Sequence, residues 1–487
     1  MSSALHRVAL HRFALHRSVS TRRVFSIGLL LAALWAGPAG AEDEASPSAP
    51  VDAETKQAVI ERITELLDEH YVFPDVAAAC AESLRSDLES GTFDGAEDEK
   101  AFADALTEAI QKVSKDKHIN VWLREPERVD VERQNPMRAR AESTLRQKRA
   151  NFGFEKVEKL DGNVGYVDLR YFAGHPQARE TVVGAMAFLA NVDALIFDMR
   201  KNGGGSPDMV RFISSYLFAE PTHLNSLYWR RGDRTDEFWT LENVPGKRLA
   251  DVPVFVLTSK RTFSGAEEFS YNLRTRERGT LIGETTGGGA NPGDTMNIDD
   301  RFAVFVPTGR AINPITGTNW EGVGVAPHIA VEADKAFDVA LEKAQAAAEA
   351  RRQELDAAAA TRWTDFESGM EKAEQLVADG KSDAAGARIQ ETLRQALDRE
   401  LITEADINQL GYHFLQGGQA LLAIATFEAN VAAFPESANV YDSLGEAQME
   451  TGRNEAAVAN YRKSLQLDPE NRNAVDMLQR LGVKAAP

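Results

Sequence analysis

Apolar positions recur at spacings of three and four over three stretches near the start of the chain. Val59, Ile60, Ile63, Leu66 and Leu67 share one face; Val76, Cys80, Leu84 and Leu88 share a second; Phe102, Leu106, Ile110 and Val113 share a third. A single apolar stripe of period near 3.6 predicts amphipathic helices that bury that stripe against one another. At SKDKHINVWL the period changes to two. His118, Asn120 and Trp122 alternate there with Ile119, Val121 and Leu123, which predicts a strand. Residues 124–150 are charged and helix-prone. From 160 to about 332, the apolar runs NVGYVDLRYF, ALIFDMR, VPVFVLTS, GTLIGET and RFAVFVPT alternate with glycine-rich turns. Helices are expected over 207–218 and 264–276. The alternation predicts an α/β core. The Ala-, Lys- and Glu-rich stretch 335–362 should be helix.

The end of the chain repeats with a period of 34. Leu410 pairs with Leu444, Gly411 with Gly445, Gly418 with Gly452, Phe427 with Tyr461 and Pro435 with Pro469. Such a helix–turn–helix period resembles a tetratricopeptide array, with Leu478 opening a capping helix and an atypical first unit expected near 364–400. Arrays of this kind commonly present a groove to a protein partner.

The N-terminus departs from this picture. Residues 1–23 hold Arg7, Arg12, Arg17, Arg22 and Arg23 and no acid, and an apolar run follows from Phe25 to small residues at Ala39 and Ala41. A basic stretch, a short apolar run and an A-x-A ending read as a secretory signal, 1–41, with 42–54 as an acidic Pro/Ser linker. The expectation is an exported protein, periplasmic or secreted, that meets the membrane only through this segment. Its removal takes five positive charges from a net of −19, leaving −24. A chain this acidic is a poor match to nucleic acid. Cys80 is the single cysteine. It excludes an intrachain disulfide and a thiolate metal site, and its place in a helix stripe suits a buried structural thiol. No H-E-x-x-H is present, and neither a metal nor a cofactor is expected. Asp299-Asp300 reads as a solvated turn.

Two segments can carry chemistry. In VPVFVLTSKRTFSGAEEF, an apolar strand ends and Ser264 opens a helix. A hydroxyl there lies beside amide N–H groups and the positive helix end, with the Gly265 amide the natural oxyanion donor. The same residue, with Glu267 three positions on, is also a plain capping box. In ALIFDMRKNGGGSPDMV, a buried strand opens into three glycines before a helix. Asp208 replaces the third glycine of a dinucleotide fingerprint and no Gly-Lys-Ser/Thr ending exists, so an oxyanion loop and a tight turn remain. A serine nucleophile needs a base. His118, His175, His223 and His328 are candidates, and local pattern alone selects none. The next lysine after Ser264 is Lys335, beyond the core, which excludes a downstream lysine base.

In order, DKHINV, NVGYVDLR, DMRKNGGG, TFSGAEEF, GETTGGGANPG and WEGVGVAPHI resemble the tail-specific or C-terminal processing serine protease family. The likeness covers about 55–335 and is nearer the tricorn-core and interphotoreceptor retinoid-binding protein branch. It implies an N-terminal helical bundle (55–124), a crotonase-like α/β serine peptidase core (125–335), a connecting helix (336–363) and tetratricopeptide-like helical repeats (364–487). It also implies a peptide or protein substrate. By this resemblance the nucleophile is Ser264, the base is His118 of a D-x-H segment, and the orienting acid is Glu321 of E-x-x-G-V-x-P. The oxyanion donors are Gly265 and either Gly203 or Gly204, and the implied chemistry is acyl transfer. The chain departs from the pattern in four places. Gly287-Gly288-Gly289 replaces G-K-G, no space remains for a PDZ domain, Lys117 stands where a helping serine is usual, and His328 replaces an Asp. A non-catalytic binder of apolar ligands or peptides on the same fold is the alternative reading.

Overall fold

Helices α1 (Ala53–His70), α2 (Pro74–Glu89) and α3 (Glu99–Ser114) lie where the three apolar stripes predict them. Asp52 and Asp98 start α1 and α3 by accepting the Thr55 and Ala101 N–H groups. Pro74 opens α2, where a missing N–H leaves no bond unmade. The stripes meet around Ile60, Ile63, Leu67, Leu84, Phe102 and Leu106. Cys80 is buried among them, and burial pushes its thiol up to about 11. This core is completed by Val121 of β1 (Val121–Leu123) and by Phe302, Val304 and Val306 from far along the chain. The helices are thereby fixed to the sheet that carries His118 just ahead of β1.

The structure is a computed structural model that describes residues 50–124 and 135–484. The expected signal segment 1–41 lies outside the described residues. Helix α4 (Pro136–Arg149) leads to the hairpin β2 (Phe154–Leu160) and β3 (Val164–Leu169). Then come α5 (Ala178–Phe188), β4 (Ala194–Asp198), α6 (Pro207–Ser214), β5 (His223–Trp229), β6 (Arg234–Trp239), β7 (Val254–Thr258), α7 (Gly265–Thr275) and β8 (Gly279–Gly283). β9 (Gly293–Asn297), β10 (Phe302–Pro307), β11 (Gly309–Ile312) and β12 (Ile329–Ala330) follow. Six strands form one sheet in the order β12-β8-β7-β4-β3-β2, parallel throughout except for the β2–β3 hairpin. Two smaller antiparallel sheets, β1-β10-β9 and β11-β5-β6, flank it.

Strands β4 and β7 are buried at every residue, as expected of central parallel strands covered on both faces. One face packs through Leu195, Phe197 and Val256 onto Met186 of α5, Val210 and Ile213 of α6, and Phe269 of α7. The other meets α8 (Ala336–Ala378), whose Ala336, Ala340, Ala344 and Ala348 recur every fourth residue against Ile196, Leu257 and Ile282. Four alanines on one face let the helix lie close to the sheet.

Helix α8 runs unbroken to Ala378, past residue 363 where the sequence pattern suggested a change, because no proline intervenes. Helices α9 (Ser382–Asp398), α10 (Glu404–Gln416), α11 (Ala420–Ala433), α12 (Ala438–Glu450), α13 (Asn454–Leu467) and α14 (Arg472–Arg480) complete the chain. The 34-residue repeat has a packing cause. A Cβ at Gly411 would stand 2.5 Å from the Phe427 ring, and one at Gly445 would stand 3.1 Å from the Tyr461 ring. In each pair a glycine on the first helix leaves room for an aromatic on the second. Gly418 and Gly452 follow α10 and α12 at φ 73, the left-handed turn that stops a helix.

Candidate active site

After β7 the chain turns through 259–263, and Ser264 caps α7. Asp52, Asp98 and Thr403 cap their helices from extended backbone, with φ of −81, −121 and −115. Ser264 forms a capping box with Glu267, yet its φ is 53 and its ψ −121. A positive φ costs a residue with a Cβ about 1–3 kcal/mol, so the surroundings must hold it. Glu267 does much of this. Its buried carboxyl accepts the N–H groups of Ser264 at 2.9 Å, Gly288 at 2.7 Å and Gly289 at 2.8 Å, and the Thr286 hydroxyl. Burial raises its pKa, and these four bonds oppose that rise.

The glycine loop is joined to the serine loop through Asn202, which is fully buried. Its amide donates to Leu169 O at 2.9 Å, and its backbone carbonyl accepts the Phe263 N–H at 3.1 Å. Thr262 adds a hydroxyl bond to Met199 O at 2.8 Å. Gly204 has φ 104, and a Cβ there would lie 2.7 Å from both Gly265 N and Ser264 Cβ. The Gly204 N–H is already spent on Asn202 Oδ1 at 2.8 Å, and the Gly203 N–H reaches Arg170 O at 3.3 Å. Among the described residues, the N–H groups of Gly205 and Gly265 make no hydrogen bond. The Gly205 nitrogen lies 3.1 Å from the point where a Gly265 Cβ would stand. The loop therefore leaves two N–H groups unspent beside Ser264.

His118 is 8% exposed at its side chain, and both ring nitrogens lack a hydrogen-bond partner. Phe263 and Phe305 flank the ring at centroid distances of 4.6 and 5.8 Å. A Cβ at Gly289 would come within 2.6 Å of His118 Cε1, so the Gly287–Gly289 run makes room for the ring. Two carboxyls stand behind it. Asp116 Oδ1 lies 3.7 Å from Nδ1, and one ligand atom each of Asp116, His118 and Glu321 lies within 4.8 Å of the others. Asp116 is already satisfied: it accepts from the His118 N–H at 3.0 Å, Asn291 at 2.8 Å and the Tyr71 hydroxyl at 3.2 Å. Glu321 accepts the Ala290 N–H at 2.5 Å through Oε2, while its buried Oε1 has no partner. Burial first, then the neighbouring charge of Asp116, push Glu321 up to about 7; His118 pulls it the other way.

Ser264, His118, Gly203 and Gly265 line one cavity of about 720 Å³ with Glu268, Phe305 and Trp320. Gly204 is not on its wall, and Glu321 stands behind His118 rather than in the cavity. The other candidate histidines are engaged elsewhere. His328 Nδ1 accepts the Leu281 N–H at 2.9 Å, His223 contacts Ser226 Oγ at 3.0 Å and stacks on Trp239, and His175 stacks on Phe152. Asp299 accepts the N–H groups of Arg301 and Phe302, the turn expected of that acidic pair. Sequence reasoning gave no role to Asp116, Asn202 or Glu268. Asp116 had a signal, the D of the D-x-H segment; the others become evident only when distant segments meet.

Comparison with known proteins agrees with this architecture. Residues 163–331 match Peptidase family S41, and residues 53–151 match the N-terminal domain of Peptidase S41 in eukaryotic IRBP. Residues 438–474 match SHNi-TPR. The chain carries a peptidase family S41 core behind that N-terminal domain, and it is a serine-type peptidase. Similar solved structures include a photosystem II D1 C-terminal processing protease (16% identity, TM-score 0.37, 57% of this chain and 94% of that one). A putative peptidase from Parabacteroides merdae has 18% identity and a TM-score of 0.42, over 59% and 96% of the two chains. The tricorn protease has 13% identity and a TM-score of 0.41, over 61% and 37%.

Proposed function

We propose that this chain is an exported serine peptidase that hydrolyses peptide bonds through an acyl-enzyme on Ser264, with His118 as general base. The observation that carries the reading is the shared cavity: Ser264 and His118 line it together, beside two N–H groups with no other partner. In the proposed reaction His118 takes the Ser264 proton as Oγ attacks the carbonyl carbon. The N–H groups of Gly205 and Gly265 hold the tetrahedral oxyanion. His118 then gives the proton to the leaving amine, and water, activated by the same ring, releases the acyl group. Glu321 is the acid that supports the imidazolium, since its Oε1 is unspent whereas Asp116 is already hydrogen-bonded on both oxygens. Gly205 replaces Gly203 and Gly204 as the second donor in this reading, because its N–H is free of other bonds. The unpaired ring nitrogens of His118 suit a free enzyme whose catalytic hydrogen bonds close on substrate.

The test is hydrolysis of a peptide mixture by wild type, Ser264→Ala and His118→Ala. Wild type should cleave, Ser264→Ala should be inert, and His118→Ala should lose about 10²–10⁴ in kcat. Turnover retained by Ser264→Ala overturns the assignment. Export is tested by N-terminal sequencing of the extracytoplasmic protein, where a mature end at Glu42 is expected. The repeat array is proposed to recruit a protein partner or substrate to the core.

A further inference from the structure

The cavity beside Ser264 has a polar end that acyl transfer does not use. Glu268 lies four residues beyond Ser264, in the first turn of α7. It is 4% exposed and lines the cavity. Leu227 and Trp229 of β5, Phe238 of β6, Ala311 of β11 and Trp320 form apolar walls around the same space. A buried carboxyl at the end of an apolar cleft is costly unless something answers it. Two amides stand next to it. Asn225 and Asn272 are fully buried and close enough to pull the Glu268 carboxyl toward ionisation. Neither amide has a completed hydrogen bond on its nitrogen or its oxygen. Polar capacity is thus concentrated, and unspent, where a substrate side chain would end.

Resting on the Ser264 reading, we propose that Glu268, backed by Asn225 and Asn272, is the specificity floor of the substrate pocket and selects a basic side chain, arginine or lysine, on the acyl side of the scissile bond. The apolar walls take the methylene stem of such a side chain, and the carboxyl takes its charged head. Burial pushes Glu268 up to about 8, against the pull of the two amides. When a cation enters, the carboxyl proton leaves to solvent and the carboxylate accepts from the cation's N–H groups. The Asn225 and Asn272 amides are placed to donate to the same carboxylate. The chain's net charge of −19 favours the approach of basic segments.

The experiment compares kcat/KM for peptides that differ only in the residue before the scissile bond: Arg, Lys, Phe and Leu. Wild type should prefer Arg and Lys over Phe and Leu by about tenfold or more. Glu268→Gln, which keeps shape and removes the charge, should lower that ratio at least about tenfold. A wild-type preference for Phe or Leu overturns the proposal whether or not the variant folds. An unchanged ratio in a Glu268→Gln protein that melts as wild type does also overturns it. Labelling by a small fluorophosphonate separates this proposal from the reading beneath it. Ser264 labelled in wild type with no basic preference removes only the specificity floor. No labelling of Ser264 removes both.

Discussion

Gly204 touches Ser264 with its backbone alone. Its φ of 104 and the 2.7 Å approach to Gly265 N and Ser264 Cβ leave no space for a methyl group. Gly204→Ala should therefore move the serine loop and cut kcat by about 10² or more, the scale of a lost oxyanion donor; steady-state kinetics with a labelling control reads this. Glu321 carries a different prediction. Its carboxyl is pushed up to about 7, so it is neutral below that pH and cannot support an imidazolium there. Activity should rise as pH climbs through about 7, and Glu321→Gln should lower kcat and flatten the part of that rise that Glu321 ionisation supplies in a kcat–pH profile. Stability at Glu268 runs the opposite way with pH. An unfolded glutamate titrates near about 4.3, and the folded one near about 8. The folded state holds the extra proton between those values, so stability falls as pH rises across that window. Urea midpoints at pH 5 and 8 should differ less in Glu268→Gln than in wild type. The serine segment and the glycine loop were readable in the sequence because each is local, a strand end followed by a helix start. The choice among Gly203, Gly204 and Gly205 was not, because it depends on which N–H the Asn202 side chain occupies.

Elements divide the same way. The three N-terminal helices and the 34-residue repeat announce themselves by period, and Gly411–Phe427 and Gly445–Tyr461 show why the repeat keeps a small and an aromatic position. Strands β5 and β6 and helix α5 were missed. Every second residue of β6 is exposed, and His223–Trp229 mixes polar and aromatic residues without a clean alternation, so packing rather than pattern defines this pair. That matters for function, since β5 and β6 supply Leu227, Trp229 and Phe238 to the cavity. Helix α8 is another element whose role shows only in three dimensions. Its alanine stripe covers the sheet face opposite α5–α7, while Met370 and Ala373 near its end join the core of the repeats. A chain ending at Ala378 keeps the stripe. It should cleave short peptides at a rate close to the full chain and lose turnover of a protein substrate recruited through the repeats. Comparing the two rates on the full and shortened chains checks this.

At the scale of the whole molecule, the site is a meeting of segments far apart in sequence. His118 enters in the turn just ahead of β1, the strand that the N-terminal helices share with β10, Ser264 and Glu268 sit on α7 after β7, and Glu321 comes from the loop before β12. The cavity opens where the central parallel strands β4 and β7 end and their helices begin, the usual place for a ligand in an α/β sheet. The order of motifs along the chain was enough to expect a serine peptidase. Asp116, satisfied by Tyr71, Asn291 and the His118 N–H, could not be separated from Glu321 without those contacts. The central claim is that Ser264 is a nucleophile activated by His118, and mapping the adduct of a serine-directed phosphonate by mass spectrometry tests it most directly. The account predicts one adduct, on the Ser264 peptide, with labelling slowed by about 10²–10⁴ in His118→Ala; an adduct on another serine, or labelling of Ser264 at an unchanged rate without His118, would contradict it.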